Sequence, residues 1–306
     1  MNILIIRPGA LGDTLMLLPA LVDLAARAAI TFAGRQPGLE FVREYVYQAM
    51  DFEGPGWHRL FMERPEEPGL PVSGIDFVVA FFSDEDGSLR HNLKTFVPNA
   101  EVHVFPSFPP KGGKVHVARY LSECLRSAGL PVDPQKVWEI ARKGTLRKDL
   151  RAPPARDKIV LHPGSGDEKK NYPPDFLLRL LGSLCREPAL QELRPVVLLG
   201  PAENSLCQYF KENASSIKAE IRTCPAKDLL TRLLREAAIY LGHDSGATHL
   251  AAMLGTPTVV FFKRTDADQW RPLGPYVRVF KNREAGPELI KEVLSTCSTF
   301  LLSCLE

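Results

Sequence analysis

The chain lacks most of the features that would assign it quickly. No run approaches the roughly 18 consecutive apolar residues that span a membrane. The start, Met1-Asn2-Ile3, runs directly into an apolar segment without the basic region and small-residue cleavage site of a secretory signal, so a cytoplasmic protein is expected. Charge of one sign is not in excess: 38 basic residues face 36 acidic ones, which gives no basis for a nucleic-acid groove. The six cysteines are scattered without a CxxC pair and the seven histidines do not cluster, so free thiols are expected and a zinc site is not. There is no GxSxG elbow and no GxxxxGK[ST] loop. Gly9-Ala10-Leu11-Gly12 is not GxGxxG, and the second apolar run closes on Ala33-Gly34-Arg35 without an acidic residue, which counts against a nicotinamide dinucleotide. No repeat of fixed period appears.

What is present is an alternation of strand-like and helix-like segments. Strands are expected at Ile3–Ile6, Ala29–Ala33, His58–Phe61, Phe77–Phe82 and Glu101–Phe105, with helices at Leu11–Arg27, Leu39–Met50 and Val115–Ser127. The alternation restarts with strands at Ile159–Leu161, Val196–Leu199, Ile221–Thr223, Ile239–Leu241 and Val259–Phe262. The helices there are Pro174–Cys185, Lys227–Ala237, Ala247–Leu254 and Pro287–Leu302. Between the halves, Lys143 to Lys158 is charged and contains Pro153-Pro154, as an interdomain linker would. Such alternation implies parallel sheets of βαβ units. The reading is α/β with two Rossmann-like, doubly wound domains, 1–150 and 151–306. The last helix, 286–306, is left free to cross back onto the first domain. Proline- and glycine-rich stretches at 54–56, 65–71 and 106–113 read as loops.

In such folds ligands bind at the carboxyl ends of strands, and several turns there carry chemistry. Arg7-Pro8-Gly9-Ala10-Leu11-Gly12-Asp13 joins the first strand to the first helix. Asp13 is either a helix cap or a general base, and Arg7 either packs beside the turn or, with Gly12, meets an anionic acceptor. A second turn, Asp244-Ser245-Gly246-Ala247-Thr248-His249, opens a helix whose first amides suit a diphosphate. The alternative is a tight turn capped by Asp244 with a half-buried His249. A third segment, His162-Pro163-Gly164-Ser165-Gly166, precedes Lys169-Lys170, of which Lys170 is the better phosphate partner. Glu203, in Gly200-Pro201-Ala202-Glu203, would meet a ribose hydroxyl or simply begin a helix. Asp84-Glu85-Asp86 and Asp266-Ala267-Asp268 match a DxD pattern too short to assign a metal.

Taken in order, these segments resemble the heptosyltransferase-type glycosyltransferases of family 9, inverting enzymes of the GT-B fold. The resemblance rests on Arg7–Asp13, on His162–Gly166 with Lys170 and Tyr172-Pro173, on Asp244-Ser245-Gly246 with His249, and on Leu254–Pro257 with Thr265-Asp266. It implies two domains facing a cleft, with a lipid-linked glycan acceptor of the lipopolysaccharide core on the first and a nucleotide sugar, ADP-heptose, on the second. It assigns Asp13 as catalytic base. Lys170, with Ser165, Gly166, Glu203, Asp244, Ser245, Gly246 and His249, would form the donor site. No metal and no cofactor beyond the nucleotide-sugar co-substrate is expected, and contact with the inner membrane surface stays open. The rival readings are a GT-B-fold nucleotide-sugar epimerase and a catalytically silent nucleotide-sugar binder. The turn here carries Pro8-Gly9-Ala10 where better-known heptose transferases tend to carry serines, and the loops around 54–72 and 83–114 match no recognisable acceptor motif.

Overall fold

A computed structural model describes residues 1–63, 69–147 and 155–303. Pro65 to Pro68 of one expected loop, Pro153-Pro154 of the expected linker, and Cys304 lie outside the described residues. The chain forms two compact units, Met1–Ile140 and Ala141–Glu306.

The first unit is built on five strands: β1 (Asn2–Ile6), β2 (Ala29–Gly34), β3 (Gln48–Asp51), β4 (Phe77–Phe81) and β5 (Glu101–Phe105). Its helices are α1 (Leu11–Ala25), α2 (Gly38–Val42), α3 (Ser88–Phe96), α4 (Val117–Ser127) and α5 (Pro134–Lys143), the last running into the start of the second unit. The sheet order is β3-β2-β1-β4-β5 and every pairing is parallel. Leu4, Ile6, Val78 and Ala80 pack with Trp57, Leu60, Leu89 and Leu93. The alternate residues Ile3 and Ile5 are buried as completely, so β1 is covered on both faces, as a continuous apolar run in a parallel sheet should be.

The second unit holds β6 (Lys158–His162), β7 (Arg194–Leu199), β8 (Glu220–Thr223), β9 (Ala237–His243), β10 (Thr258–Phe262) and β11 (Val277–Lys281). Its helices are α6 (Pro174–Arg186), α7 (Asn204–Asn213), α8 (Lys227–Arg235), α9 (Gly246–Met253), α10 (Ala267–Trp270) and α11 (Pro287–Ser303). The order is β11-β10-β9-β6-β7-β8, again all parallel. Phe176, Leu180 and Leu184 of α6 share one core with Ile159, Leu161, Ile239 and Leu241 of the sheet.

Several elements differ from the sequence reading. The helix expected over Leu39–Met50 stops at Val42, passes through a short 3-10 turn, and gives way to β3. Ala49 and Met50 continue a helical apolar spacing, but pairing with Phe32 and Ala33 of β2 decides their conformation. His58–Phe61 is not a strand. It lies in a 3-10 turn, Trp57–Phe61, and the Leu60 carbonyl accepts from Asn92 Nδ2 (3.0 Å) rather than from a neighbouring strand. No helix was expected between Phe82 and Glu101, where α3 lies; β5 falls where a strand was expected. The described part of the final helix places Leu289, Val293 and Cys297 in the core shared with α6. Residues just after α5 also belong to the second unit, where the Leu146 amide donates to the Met253 carbonyl (3.0 Å).

Candidate functional site

Each sheet has one place where the strand order reverses direction, and a crevice opens at the carboxyl ends of the two strands flanking it. In the first unit these strands are β1 and β4; in the second they are β6 and β9. The Arg7–Asp13 turn leaves β1, His162–Gly166 leaves β6 and His243–Gly246 leaves β9.

In the first unit, α1 begins after Ala10, which has no capping side chain. Asp13 reaches back instead, and its Oδ2 accepts the Ala10 amide (3.0 Å). This satisfies one of the donors that a helix start leaves unpaired. Oδ1 has no protein hydrogen bond among the described residues, so the cap engages half of the carboxylate. Arg7 is 2% exposed. Its Nε donates to the Asp13 carbonyl (3.1 Å) and its Nη1 to the Ser107 carbonyl (2.8 Å). Its Cζ lies 5.4 Å from the ring centroids of both Phe81 and Phe108, within cation–π range. Burial lowers the guanidinium to about 10 against the restoring pull of Asp13, so it is still a cation at neutral pH. Nη2 is buried without a hydrogen-bond partner among the described residues. Arg7, Gly9, Asp13, Phe81, Ser107 and Phe108 line a cavity of about 320 Å³, at the small end of the range for ligand pockets. Gly12 sits half-buried in the first turn of α1.

In the second unit, Lys170 Nζ lies 3.5 Å from Asp244 Oδ2, and His249 Nε2 lies 3.5 Å from Asp244 Oδ1. Burial works to raise the Asp244 carboxyl, but His249 and the Lys170 charge outweigh it and hold the group below its ordinary value. Ser245 is the N-cap of α9, its Oγ accepting the Thr248 amide (3.4 Å). The amides of Gly246 and Ala247 follow in the first helical turn, where a helix has no internal acceptors for them. Ser165 Oγ donates to the Asp167 carbonyl (3.1 Å) and stands 2.6 Å from Asn171 Oδ1, and Gly166 turns the loop at φ +74°. Lys263, after β10, donates to the Asn171 carbonyl (3.0 Å).

Beneath this surface lies a buried layer. Glu203 is 4% exposed, and its Oε2 accepts the Gly200 amide (2.8 Å) and faces His162 Nε2 at 3.4 Å. A Cβ at Gly164 would fall 1.8 Å from Glu203 Oε1, so residue 164 must be glycine for this carboxylate to enter. Burial acts to raise Glu203, but His162 and the amides of Gly200 and Gly166 hold it below the ordinary glutamate value. The side chain considered for a ribose hydroxyl is thus turned inward. His243 Nε2 accepts the Tyr172 amide (2.8 Å), and burial, with His162 and Lys263 nearby, lowers its pKa to about 3. His243 is therefore neutral and anchors the segment that follows Lys170.

The structure thus gathers Ser165, Gly166, Lys170, Asp244, Ser245, Gly246 and His249 at one switch point, on the turns after β6 and β9 and the start of α9, and Arg7, Gly12 and Asp13 at another. The sequence did not single out Ser107, Phe108, Phe81, Thr248 or the His162–Glu203 contact. His162, Thr248 and Glu203 each stood in a turn that the sequence marked, but no local spacing paired His162 with Glu203. Both DxD segments are helix caps: Asp84 accepts the Leu89 and Arg90 amides, and Asp266 accepts the Asp268 amide. No group of three or more His, Cys, Asp or Glu side chains fit for a metal occurs among the described residues. No described helix is long and apolar enough to cross a membrane.

The model of glycosyltransferase family 9 (heptosyltransferase) matches residues 104–297, more than half of the chain. The chain belongs to glycosyltransferase family 9. The match begins after the Arg7–Asp13 turn and does not include it. No curated protein sequence matches. Among solved structures, Escherichia coli ADP-heptose lipopolysaccharide heptosyltransferase II is 17% identical, covers 100% of both chains and superposes with a TM-score of 0.68. Escherichia coli heptosyltransferase WaaC with ADP is 14% identical, covering 97% of this chain and 100% of that one at a TM-score of 0.67. A putative UDP-N-acetylglucosamine 2-epimerase from Listeria monocytogenes is 12% identical, covering 99% and 90%, at 0.55. At these identities the likeness shows the fold, which is of the GT-B type: two α/β units with parallel sheets. The protein is a glycosyltransferase of the heptosyltransferase family.

Proposed function

We propose that the protein transfers heptose from ADP-heptose, with inversion and without a metal, to a lipid-linked glycan acceptor of the lipopolysaccharide core or a related envelope glycan. The second unit takes the donor. Lys170 and the first amides of α9, with Ser245 and Gly246, meet the diphosphate; Asp244 and His249 hold Lys170 in place; Ser165 and Gly166 shape the adjoining loop. Glu203 supports that loop from beneath. The first unit takes the acceptor in the cavity beside Asp13, with Arg7 and Gly12 in its wall. Work at the cytoplasmic face of the membrane follows from such an acceptor.

In this reaction the acceptor hydroxyl oxygen attacks the anomeric carbon, the carbon–oxygen bond to the diphosphate breaks, and ADP leaves with the bonding pair. The hydroxyl proton passes to Asp13. Charge develops on the departing diphosphate, where fixed amides and the Lys170 ammonium stabilise it. The free Oδ1 of Asp13 suits the base role, since the cap occupies only Oδ2.

One observation carries the reading: a lysine held 3.5 Å from Asp244 stands beside the start of α9 at a sheet switch point. The named E. coli relatives bind ADP or ADP-heptose, which supports that donor. An epimerase would need further free acid–base groups in the second unit, and the available ones are engaged: His243 accepts a backbone amide and Glu203 is buried. The test is a thermal-shift series with ADP-heptose, UDP-sugars and GDP-sugars, followed by a product assay. Ligands that favour the native state raise the melting temperature. A shift with UDP-sugars alone would remove the donor assignment, and epimerised donor without transfer would replace the reaction.

A further inference from the structure

In the first sheet β1 and β5 are not neighbours, because β4 lies between them. No strand pairing therefore sets the turn after β5 against the turn after β1. Arg7 makes that link with its side chain. Its backbone is fixed first: the amide donates to the Ala33 carbonyl of β2 (2.9 Å), and the carbonyl accepts the Gly9 amide (2.9 Å). The guanidinium then crosses Phe81 at the end of β4, with Cζ 5.4 Å from the ring centroid. Beyond that ring its hydrogen bonds divide. Nε holds the Asp13 carbonyl in the first turn of α1 (3.1 Å), and Nη1 holds the Ser107 carbonyl in the turn after β5 (2.8 Å). Two further bonds steady the second turn, from Ser107 Oγ to the Phe81 carbonyl (2.9 Å) and from the Tyr120 hydroxyl to the Pro106 carbonyl (2.8 Å). Neither involves α1, so of these bonds the Arg7 pair alone ties that turn directly to the residue bearing the carboxylate.

We infer that Arg7 is a positioning residue, which fixes the Asp13 carboxylate against the Ser107–Phe108 wall of the cavity and acts through Asp13 rather than as a ligand of the acceptor. The inference rests on the reading of Asp13 as the base and of this cavity as the acceptor site. A guanidinium is planar and holds its donors in fixed directions, so placing one carbonyl places the other. Little of the group is left for a ligand. The residue is 2% exposed, Nε and Nη1 are engaged on main-chain oxygens, and Nη2 is buried. The rings of Phe81 and Phe108, each 5.4 Å from Cζ, flank the cation. Without this tie the start of α1 and the turn after β5 would shift independently, and Oδ1 of Asp13 would lose its set distance from a hydroxyl resting on that wall. Rate is sensitive to such a shift, since misplacement near 1 Å costs about 10²-fold. Lysine keeps the charge and most of the stem, but its single terminal nitrogen cannot reproduce two bonds made from different atoms of a rigid plane.

The experiment is a double-mutant cycle of Arg7→Lys and Asp13→Asn in the full chain, with ADP-heptose as donor and heptose-free lipopolysaccharide core, freed of its acyl chains, as acceptor. Both kcat and the acceptor KM are read, because the two separate positioning from binding. Arg7→Lys should lower kcat by about 10-fold to 10²-fold and leave the acceptor KM within about threefold. In the Asp13→Asn background the same change should cost less than about threefold in kcat, since the group it positions no longer acts as base. Arg7→Met, apolar and of similar length, repeats the cycle where the buried ammonium of the lysine variant prevents cooperative melting. Equal losses of kcat in the two backgrounds overturn the inference. A rise confined to the acceptor KM also overturns it and makes Arg7 a ligand of the acceptor. Both results leave the base assignment standing. Failure of both Arg7 variants to melt cooperatively would make the residue a support of the fold and overturn the inference likewise. Full turnover by Asp13→Asn, or no transfer by the wild type, overturns the underlying reading and the inference with it.

Discussion

A methyl group on Gly9 would stand 2.5 Å from the Cβ of Asp13 and 2.9 Å from its Oδ2. The first glycine of the turn is therefore there for space: it lets the carboxylate fold back over the chain to cap α1 and still present Oδ1. Gly9→Ala should displace Asp13 by a few tenths of an ångström or more. Misplacement near 1 Å costs about 10²-fold in rate. Turnover should fall toward that figure while ADP affinity holds, as measured by steady-state kinetics beside calorimetry.

Asp13→Asn tests the base role with the cap preserved, because the amide oxygen still accepts the Ala10 amide. Transfer should fall by about 10² to 10⁴, the usual contribution of a positioned base. Stability should change by less than about 1 kcal/mol. Turnover within tenfold of wild type would take Asp13 out of the mechanism.

Lys170→Ala removes the cation beside Asp244. The dissociation constant for ADP should rise about tenfold, since a charge-assisted contact to phosphate is lost. A nucleoside without phosphate should bind both proteins equally, and a loss that extended to it would point to collapse of the loop instead.

His243 sets a direction for acid stability. Its pKa is about 3 in the folded protein against 6.5 for the free side chain. The unfolded chain thus binds a proton that the folded protein excludes, and stability falls as pH drops from about 6.5 toward 3. The contribution is complete above 6.5. His243→Gln keeps an acceptor for the Tyr172 amide and removes the titration. The stability gap between wild type and variant should therefore narrow on acidification, by about 1.4 kcal/mol per unit well below pH 6.5. Melting curves from pH 7.5 to 5 measure it.

Chelation by EDTA should leave transfer intact. Asp84 already spends both oxygens, and Asp266 one, on helix amides. Activity lost with EDTA and restored by a divalent ion would show that some other group recruits a metal during turnover.

The central strands were legible because burial on both faces leaves an unbroken apolar signature, as in Ile3–Ile6 and Ile239–Leu241. The turns were legible because glycine, aspartate and lysine stand directly after those strands. The edge strands β3 and β11 were not. Gln48–Asp51 is half exposed and carries a spacing equally compatible with a helix, so only its partner β2 decides it. Helix α3 was hidden because its start is capped from Asp84, outside the apolar pattern. Ser107 and Phe108 could not be seen as neighbours of Arg7, a hundred residues away in the chain, since no local spacing encodes a contact of that separation. The inward turn of Glu203 was equally invisible, for it depends on the missing side chain at Gly164.

The all-parallel pairing of both sheets has a practical consequence for engineering. Because successive strands run the same way, every strand-to-helix turn emerges at one rim, and the scaffold beneath does not specify what those turns say. The aromatic wall around Arg7 comes from Phe81 at the end of β4 and Phe108 in the turn after β5. If the acceptor sits in the cavity beside Asp13 as proposed, transplanting the turn after β5 between family members should exchange glycan preference while the β4 core is left untouched.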